Sequence, residues 1–351
     1  MKDSEVGRRI AMLRFLMIFG VVIVHTPPTL EVGEMDGSVW AYFVSFLQNG
    51  VFLAGVPVLT TMSAFLLFST GSDLAYLKLL KKKAQSLLIP FVLFNCGHIA
   101  LQVVLRLATG KWLGEDLFAQ SGEMWMNSLF SLRRAPENEP LHFLRELIVL
   151  VALSPLFGLL IRKAPVVGFA AVSLFFLTNS DGFLVNRSDM PVEFYVGGLA
   201  AVYRWNLKAL DKFSYAASAV FLGACAIVVA YEVKNITWLR LMAPILVWCA
   251  VAPLVDTRLG RWLAGLSGFS FFIYLTHAPL MRITWIVFKQ AAPHVPVPLF
   301  TALAPFAVAA VCIGLYKTAQ ALVPNGFNWA IGSRRATPRS EGPAAIPVAA
   351  V

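Results

Sequence analysis

One arginine and one histidine inside the first apolar run constrain this chain more than any other feature. Residues 12–25 read MLRFLMIFGVVIVH, and a helix crossing a bilayer does not carry Arg14 and His25 without a reason. Eleven positions separate them. At roughly 100° per residue that is about three turns plus 20°, so both side chains project from one helix face. At about 1.5 Å per residue they lie about 16 Å apart along the axis. A cation near one membrane face and a proton acceptor towards the other, on one stripe, read as two ends of a single channel. A plainer account stands beside this one: Arg14 snorkels to the headgroups and His25 hydrogen-bonds a neighbouring loop.

Composition fixes the class. Of 351 residues 58% are hydrophobic and only 14% charged, against about 25% charged in soluble domains. So little charge cannot solvate a globular surface, and the chain reads as a polytopic membrane protein. The net charge of +10 does not point to nucleic acid, because the bases sit in short loops between apolar runs. Cys96, Cys225, Cys249 and Cys312 lie inside apolar runs without metal-ligand spacing and read as buried apolar residues. Lys2, Arg8 and Arg9 before an apolar run resemble a signal peptide. The run ends in His25-Thr26-Pro27-Pro28 rather than a cleavage site, so it reads as a retained span.

Apolar runs bounded by charge or proline give ten candidate spans, at 10–27, 41–69, 84–108, 141–162, 164–179, 190–204, 213–231, 238–255, 267–288 and 298–323. Gly50, Gly55 and Pro57 interrupt the second and predict a kinked or interfacial piece. With the N-terminus in the cytoplasm, seventeen bases fall inside and eight outside, and the first outer loop has Glu31, Glu34 and Asp36 but no base. That asymmetry follows the positive-inside rule and puts both termini in the cytoplasm. The external segment 109–140, with Trp112, Trp125, Met126 and Phe130, reads as lying on the bilayer surface, a lid over a site being the alternative. The expected fold is therefore an all-α bundle of ten transmembrane helices over 1–323, followed by a disordered cytoplasmic tail at 324–351.

Ionisable groups cluster towards the outer half. His25 ends the first span; His142, Arg145 and Glu146 share a face at the start of the fourth; Glu193 opens the sixth; His277 and Arg282 lie in the ninth. Converging from several helices, they make an acid–base site. Ion pairs that hold helices together are the alternative, and an Arg145–Glu146 pair at a helix mouth needs no chemistry. His98 and His294 read as a packing residue and a loop residue. No metal site is expected, since no two histidines stand at i,i+4. A secondary transporter relaying protons through His25, Glu146, Glu193 and His277 is the rival function, although no repeated halves are visible.

The ordered motifs resemble those of the membrane acyltransferase-3 family. Arg14 and His25 are similar to its R-x10-H signature, and VPVLTTMSAFLLF (56–68) to its proline-and-serine second span. KLLKKKAQSLLIPF (78–91) resembles its basic inner loop, HFLRELIVLVALSPLF (142–157) its Trp-Phe-Leu helix and FYVGGL (194–199) its Phe-x-x-Gly span. SFFIYLTHAPL (270–280) resembles its Ser-x-x-Ile-Tyr-Leu-x-His block. The chain departs from the pattern at Ser86, where many members carry a second arginine, and at His142, where many carry tryptophan.

The resemblance implies a stand-alone, multi-pass acyltransferase of the bacterial inner membrane. It would move an acyl group from cytoplasmic acyl-CoA, acetyl-CoA or succinyl-CoA, to a hydroxyl of an extracytoplasmic glucan, polysaccharide or lipid-linked sugar. No permanently bound cofactor is implied, and a homo-oligomer is compatible with it. Arg14, Lys81, Lys82 and Lys83 would hold the donor's phosphates. His25 would act as base, with Glu146 or Glu193 orienting its ring. His142, Arg145, His277, Arg282 and Ser63 would support the acceptor side.

Overall fold

The computed structural model describes residues 4–29, 37–110, 117–178, 180, 182, 184–291 and 294–332, and all regular structure among these is helical. The helices are α1 (Ser4–Val24), α2 (Val39–Ser45), α3 (Gly55–Ser69), α4 (Tyr76–Lys83), α5 (Ile89–Thr109), α6 (Gly122–Phe130), α7 (His142–Ala152) and α8 (Ser154–Lys163). They continue as α9 (Pro165–Leu177), α10 (Asp189–Val202), α11 (Ser214–Ala230), α12 (Thr237–Ala250), α13 (Arg258–Gly265), α14 (Ser270–Ala291), α15 (Val297–Leu322) and α16 (Pro324–Ala330). Each of the ten expected apolar runs is helical within a few residues of its expected ends.

Length and apolarity single out fewer of them as spans. Six helical stretches among the described residues are long and apolar enough to cross a bilayer, or seven if the pair α7–α8, bent by 56°, is one broken span. A span needs about 20 apolar residues. The 13 residues of α9 and the 14 of α10 fall short of that, and α1 carries Glu5, Arg8, Arg9 and Arg14. The α7–α8 bend falls at Leu153, where Ser154-Pro155 starts a new helix; the proline cannot donate to the previous turn. The interruption expected around Gly50 is a π-helical turn, Phe46–Gly50, followed by a 3-10 turn, Val51–Ala54.

Two expectations need correcting. The basic segment expected as a loop is helical: α4 runs into a π turn, Ala84–Leu88, and on into α5. The tail expected to lack structure begins with α16, whose Phe327 packs with Ile331 against Phe272; residues 333–351 lie outside the described ones. Trp112 also lies outside them, as do Glu31, Glu34 and Asp36. Of the cysteines, Cys225, Cys249 and Cys312 are buried, but Cys96 is exposed.

The centre of the bundle is α1, which packs against α3, α13, α14 and α15. Beside it α3 and α10 make the most extensive helix pair. They approach closely because Gly197 leaves room: a Cβ there would collide with the carbonyl of Thr61. The start of α1 is pinned by charge. Arg9, fully buried, forms a two-pronged pair with Asp211 at 2.8 and 2.6 Å and lies over the Trp248 ring at 4.8 Å.

Candidate active site

The side chain of Arg14, exposed on α1, lines a cavity of about 400 Å³ bounded by α1, α3, α4, α7 and α14. Lys82 and Lys83 from the end of α4 line it too, with Ser63 of α3. Leu59, Leu79, Leu144 and Leu147 supply apolar wall. Among the described residues the lining holds three cations and no carboxylate. Arg14 and Lys83 are within electrostatic reach of each other. Cations gathered without a counter-charge make an anion site, and a guanidinium beside ammonium groups suits phosphate. Ser63 donates to the carbonyl of Leu59 at 2.7 Å. Lys81 does not belong to the cavity; it is exposed on α4.

The opposite wall of that cavity is aromatic, built from Phe143, Phe271 and Tyr274. The buried Tyr274 hydroxyl donates to the carbonyl of Pro140 at 2.5 Å and accepts from the Leu144 N–H at 3.3 Å. Its ring is 6.4 Å from that of His277, three residues further along α14. Tyr274 therefore stands between the cationic cavity and the histidines.

His25 and His277 come together with ring centroids 5.5 Å apart. His277 is fully buried, with Nδ1 against the carbonyls of Ile273 at 3.1 Å and Tyr274 at 2.9 Å. Carbonyl oxygens only accept, so Nδ1 holds the proton, and Nε2 has no partner among the described residues. The His25 N–H bonds to Val21 at 3.1 Å, extending the helix by a turn-closing bond. Buried Gln48, on the π turn, donates to the carbonyls of Ile23 at 3.2 Å and Thr26 at 2.8 Å. It thereby adds a second donor to the Ile23 carbonyl, which already accepts from the Thr26 N–H at 3.1 Å, and fixes the backbone on both sides of His25.

His142 joins the group. Its Nδ1 faces the Glu139 carbonyl at 2.9 Å and its Nε2 the Arg187 guanidinium at 3.0 Å. Arginine only donates, so Nε2 accepts and Nδ1 donates. The side chains of His142 and Glu139 both act electrostatically on His25. Glu139 is thus a carboxylate within electrostatic reach of His25 that the sequence reading passed over. The signal was present: an acid three residues before His142, in the turn that starts α7.

Neither of the two acids expected at His25 has it as a hydrogen-bond partner among the described residues. Glu146 pairs with Arg145 at 2.7 Å and accepts from the Asn186 N–H at 3.3 Å. Arg145 also donates to the carbonyls of Leu184 and Leu132. The two form a clamp that ties loops to α7, the structural alternative foreseen for them. Glu193 lines a different, apolar cavity of about 370 Å³ with Val58, Phe65, Trp205 and Trp248. Its carboxylate oxygens have no hydrogen-bond partner among the described residues, and its carbonyl accepts from Thr61 at 3.3 Å. Arg282 acts on His98 of α5 rather than on His25.

A bundle of apolar helices with a cationic cavity on one side of Tyr274 and paired imidazoles on the other defines a membrane-embedded transferase. The chain belongs to the acyltransferase-3 family: that family's acyltransferase domain matches residues 8–317. It is 30% identical over 353 residues to the succinoglycan biosynthesis protein ExoH of Rhizobium meliloti (strain 1021), covering 96% of this chain and 95% of that protein. No solved structure matches it. Family membership makes the chain an acyltransferase and a membrane protein, and sets the transporter alternative aside.

Proposed function

We propose that the chain moves a short acyl group, acetyl or succinyl, from acyl-CoA to a hydroxyl of a carbohydrate on the other side of the membrane. The observation that carries this reading is the cavity of three cations and no acid, joined through one helix and one tyrosine to the His25–His277 pair. The nucleotide phosphates of CoA fit Arg14, Lys82 and Lys83. The long uncharged pantetheine arm fits the apolar walls and leads the thioester towards Tyr274. The relative whose name refers to succinoglycan supports a polysaccharide acceptor.

In this reading His25 removes the proton from an acceptor hydroxyl as the oxygen attacks the thioester carbonyl. The C–O bond forms, the C–S bond breaks, and the imidazolium returns its proton to the departing CoA thiolate. Glu139 stabilises the imidazolium electrostatically. His277 positions the His25 ring, its own tautomer fixed by two carbonyls. With the donor entering from the cytoplasm, the Arg14 end faces inward, as the distribution of bases requires.

The test is His25→Ala, assayed with radiolabelled acetyl-CoA and succinyl-CoA. Losing a general base costs about 10²–10⁴-fold in turnover, while insertion, purification and CoA binding should match wild type. Wild-type turnover in His25→Ala would remove His25 from the chemistry.

A further inference from the structure

Beyond the histidines the structure holds a third cavity, of about 290 Å³, between α6 and the segment 131–139. Its lining is mostly hydrogen-bonding: the amides of Gln120 and Asn127, the hydroxyl of Ser128, the carboxylates of Glu137 and Glu139, and Arg134. Met124 and Pro136 add a small apolar surface. Resting on the acyl-transfer reading above, we infer that this cavity is the sugar-binding subsite for the acceptor, bordered by Glu139, whose carbonyl holds His142.

The wall is fixed in place rather than draped on a surface. Asn95 of α5 donates to the carbonyls of Ser128 at 2.7 Å and Leu129 at 2.8 Å, and accepts from the Asn138 N–H at 2.9 Å. Gln102 holds Glu137 at 2.7 Å, and Asn138 reaches the Leu275 carbonyl on α14 at 3.3 Å. The segment 131–139 is therefore bound to α5 and α14 and crosses the His25 end of the bundle. Pre-organised amides and carboxylates around an apolar patch match a polyhydroxylated ring, which offers many donors and acceptors and an apolar C–H face. Continuity with the chemistry comes from one residue. Glu139 lines the cavity, is within electrostatic reach of His25, and holds His142 through its carbonyl.

The test uses Arg134→Ala and Gln120→Ala in the full chain, with oligosaccharide released from succinoglycan as acceptor and acetyl- or succinyl-CoA as donor. Arg134 is exposed, so its removal does not threaten folding. The KM for the oligosaccharide should rise about tenfold. The KM for acyl-CoA and the slow release of CoA to water should stay at wild-type values. An oligosaccharide KM within twofold of wild type in both variants, with transfer intact, overturns the subsite alone. Equal changes in oligosaccharide KM and in CoA release to water also overturn it, by making the cavity part of the donor site. A wild-type protein that releases CoA but acylates no carbohydrate overturns the acceptor reading itself, and this inference with it.

Discussion

Arg9 and Arg14 stand on one helix, five residues apart, and do opposite things. Five steps turn the helix by about 500°, which leaves the two side chains about 140° apart. Arg9 faces the stretch before α11 and the end of α12, where Asp211 grips both guanidinium nitrogens, Glu5 adds a contact at 3.3 Å and Trp248 covers the plane. Both terminal guanidinium nitrogens are matched by protein acids. Arg14 faces a cavity whose described lining contains only more cations. A buried arginine with acids of its own holds the fold together; an arginine with room around it and no acid among the described residues of the same cavity is the one proposed to hold a ligand. The two residue types are identical, so the difference lies wholly in what the rest of the chain brings to each face.

That contrast can be broken by experiment, and the largest effect belongs to Arg9. Arg9→Ala leaves Asp211 without its bidentate partner, and removing one member of a buried pair costs about 3–5 kcal/mol. The thermal midpoint of the detergent-solubilised protein should fall by several degrees, whereas Arg14→Ala should leave it unchanged. A matching fall in both variants would make Arg14 another fold-holding residue.

Next comes the ligand side of the comparison. Arg14→Ala should weaken acyl-CoA binding about 10- to 100-fold by calorimetry, the loss of one charge-assisted contact. Arg14→Lys should restore part of the affinity, since charge returns but the two-pronged geometry does not. A truncated thioester without the nucleotide phosphates should react equally well with wild type and Arg14→Ala. If the truncated thioester also suffers, the arginine supports the channel wall rather than the phosphates.

The smallest effect separates neighbouring lysines. Lys82→Ala and Lys83→Ala should each lower donor affinity about three- to tenfold, as expected for cations in a partly open cavity. Lys81→Ala, on the exposed side of α4, should stay within twofold. Equal losses from all three would mean that the donor reads only the general positive charge of the segment, not the cavity.

The apolar cavity beside Glu193 sharpens the lesson from the other direction. Glu193 was selected in the sequence for the same reason as His25, an ionisable group at membrane depth. The structure puts it on the far side of α3, on α10, among Val58, Phe65 and Trp248. Depth alone does not distinguish a residue in the site from one outside it. Glu139 makes the converse point: the sequence reading passes over it, and the turn before α7 sets its carbonyl on His142.

The sequence by itself determined the class, the approximate ends of the apolar helices, and the shared face of Arg14 and His25. All three follow from local rules: apolar run length, breaks at proline and glycine, and the helical period over eleven residues. It also grouped Lys82 and Lys83 with Arg14 through the ordered family motifs, and one cavity is lined by all three; Ser63, expected on the acceptor side, lines that same cavity instead. Only the tertiary structure decided that His277 is the ring partner of His25 and that Arg145 and Glu146 clamp loops. It also decided that α4 is helical and that Lys82 and Lys83, but not Lys81, line the cavity. Those outcomes depend on contacts such as Arg9 with Asp211, 202 positions apart, or His25 with His277. A helix's own period fixes which of its residues share a face, but the rotation and depth at which two helices pack are set by side chains from both. Pairings across the bundle therefore exist only once the helices are assembled.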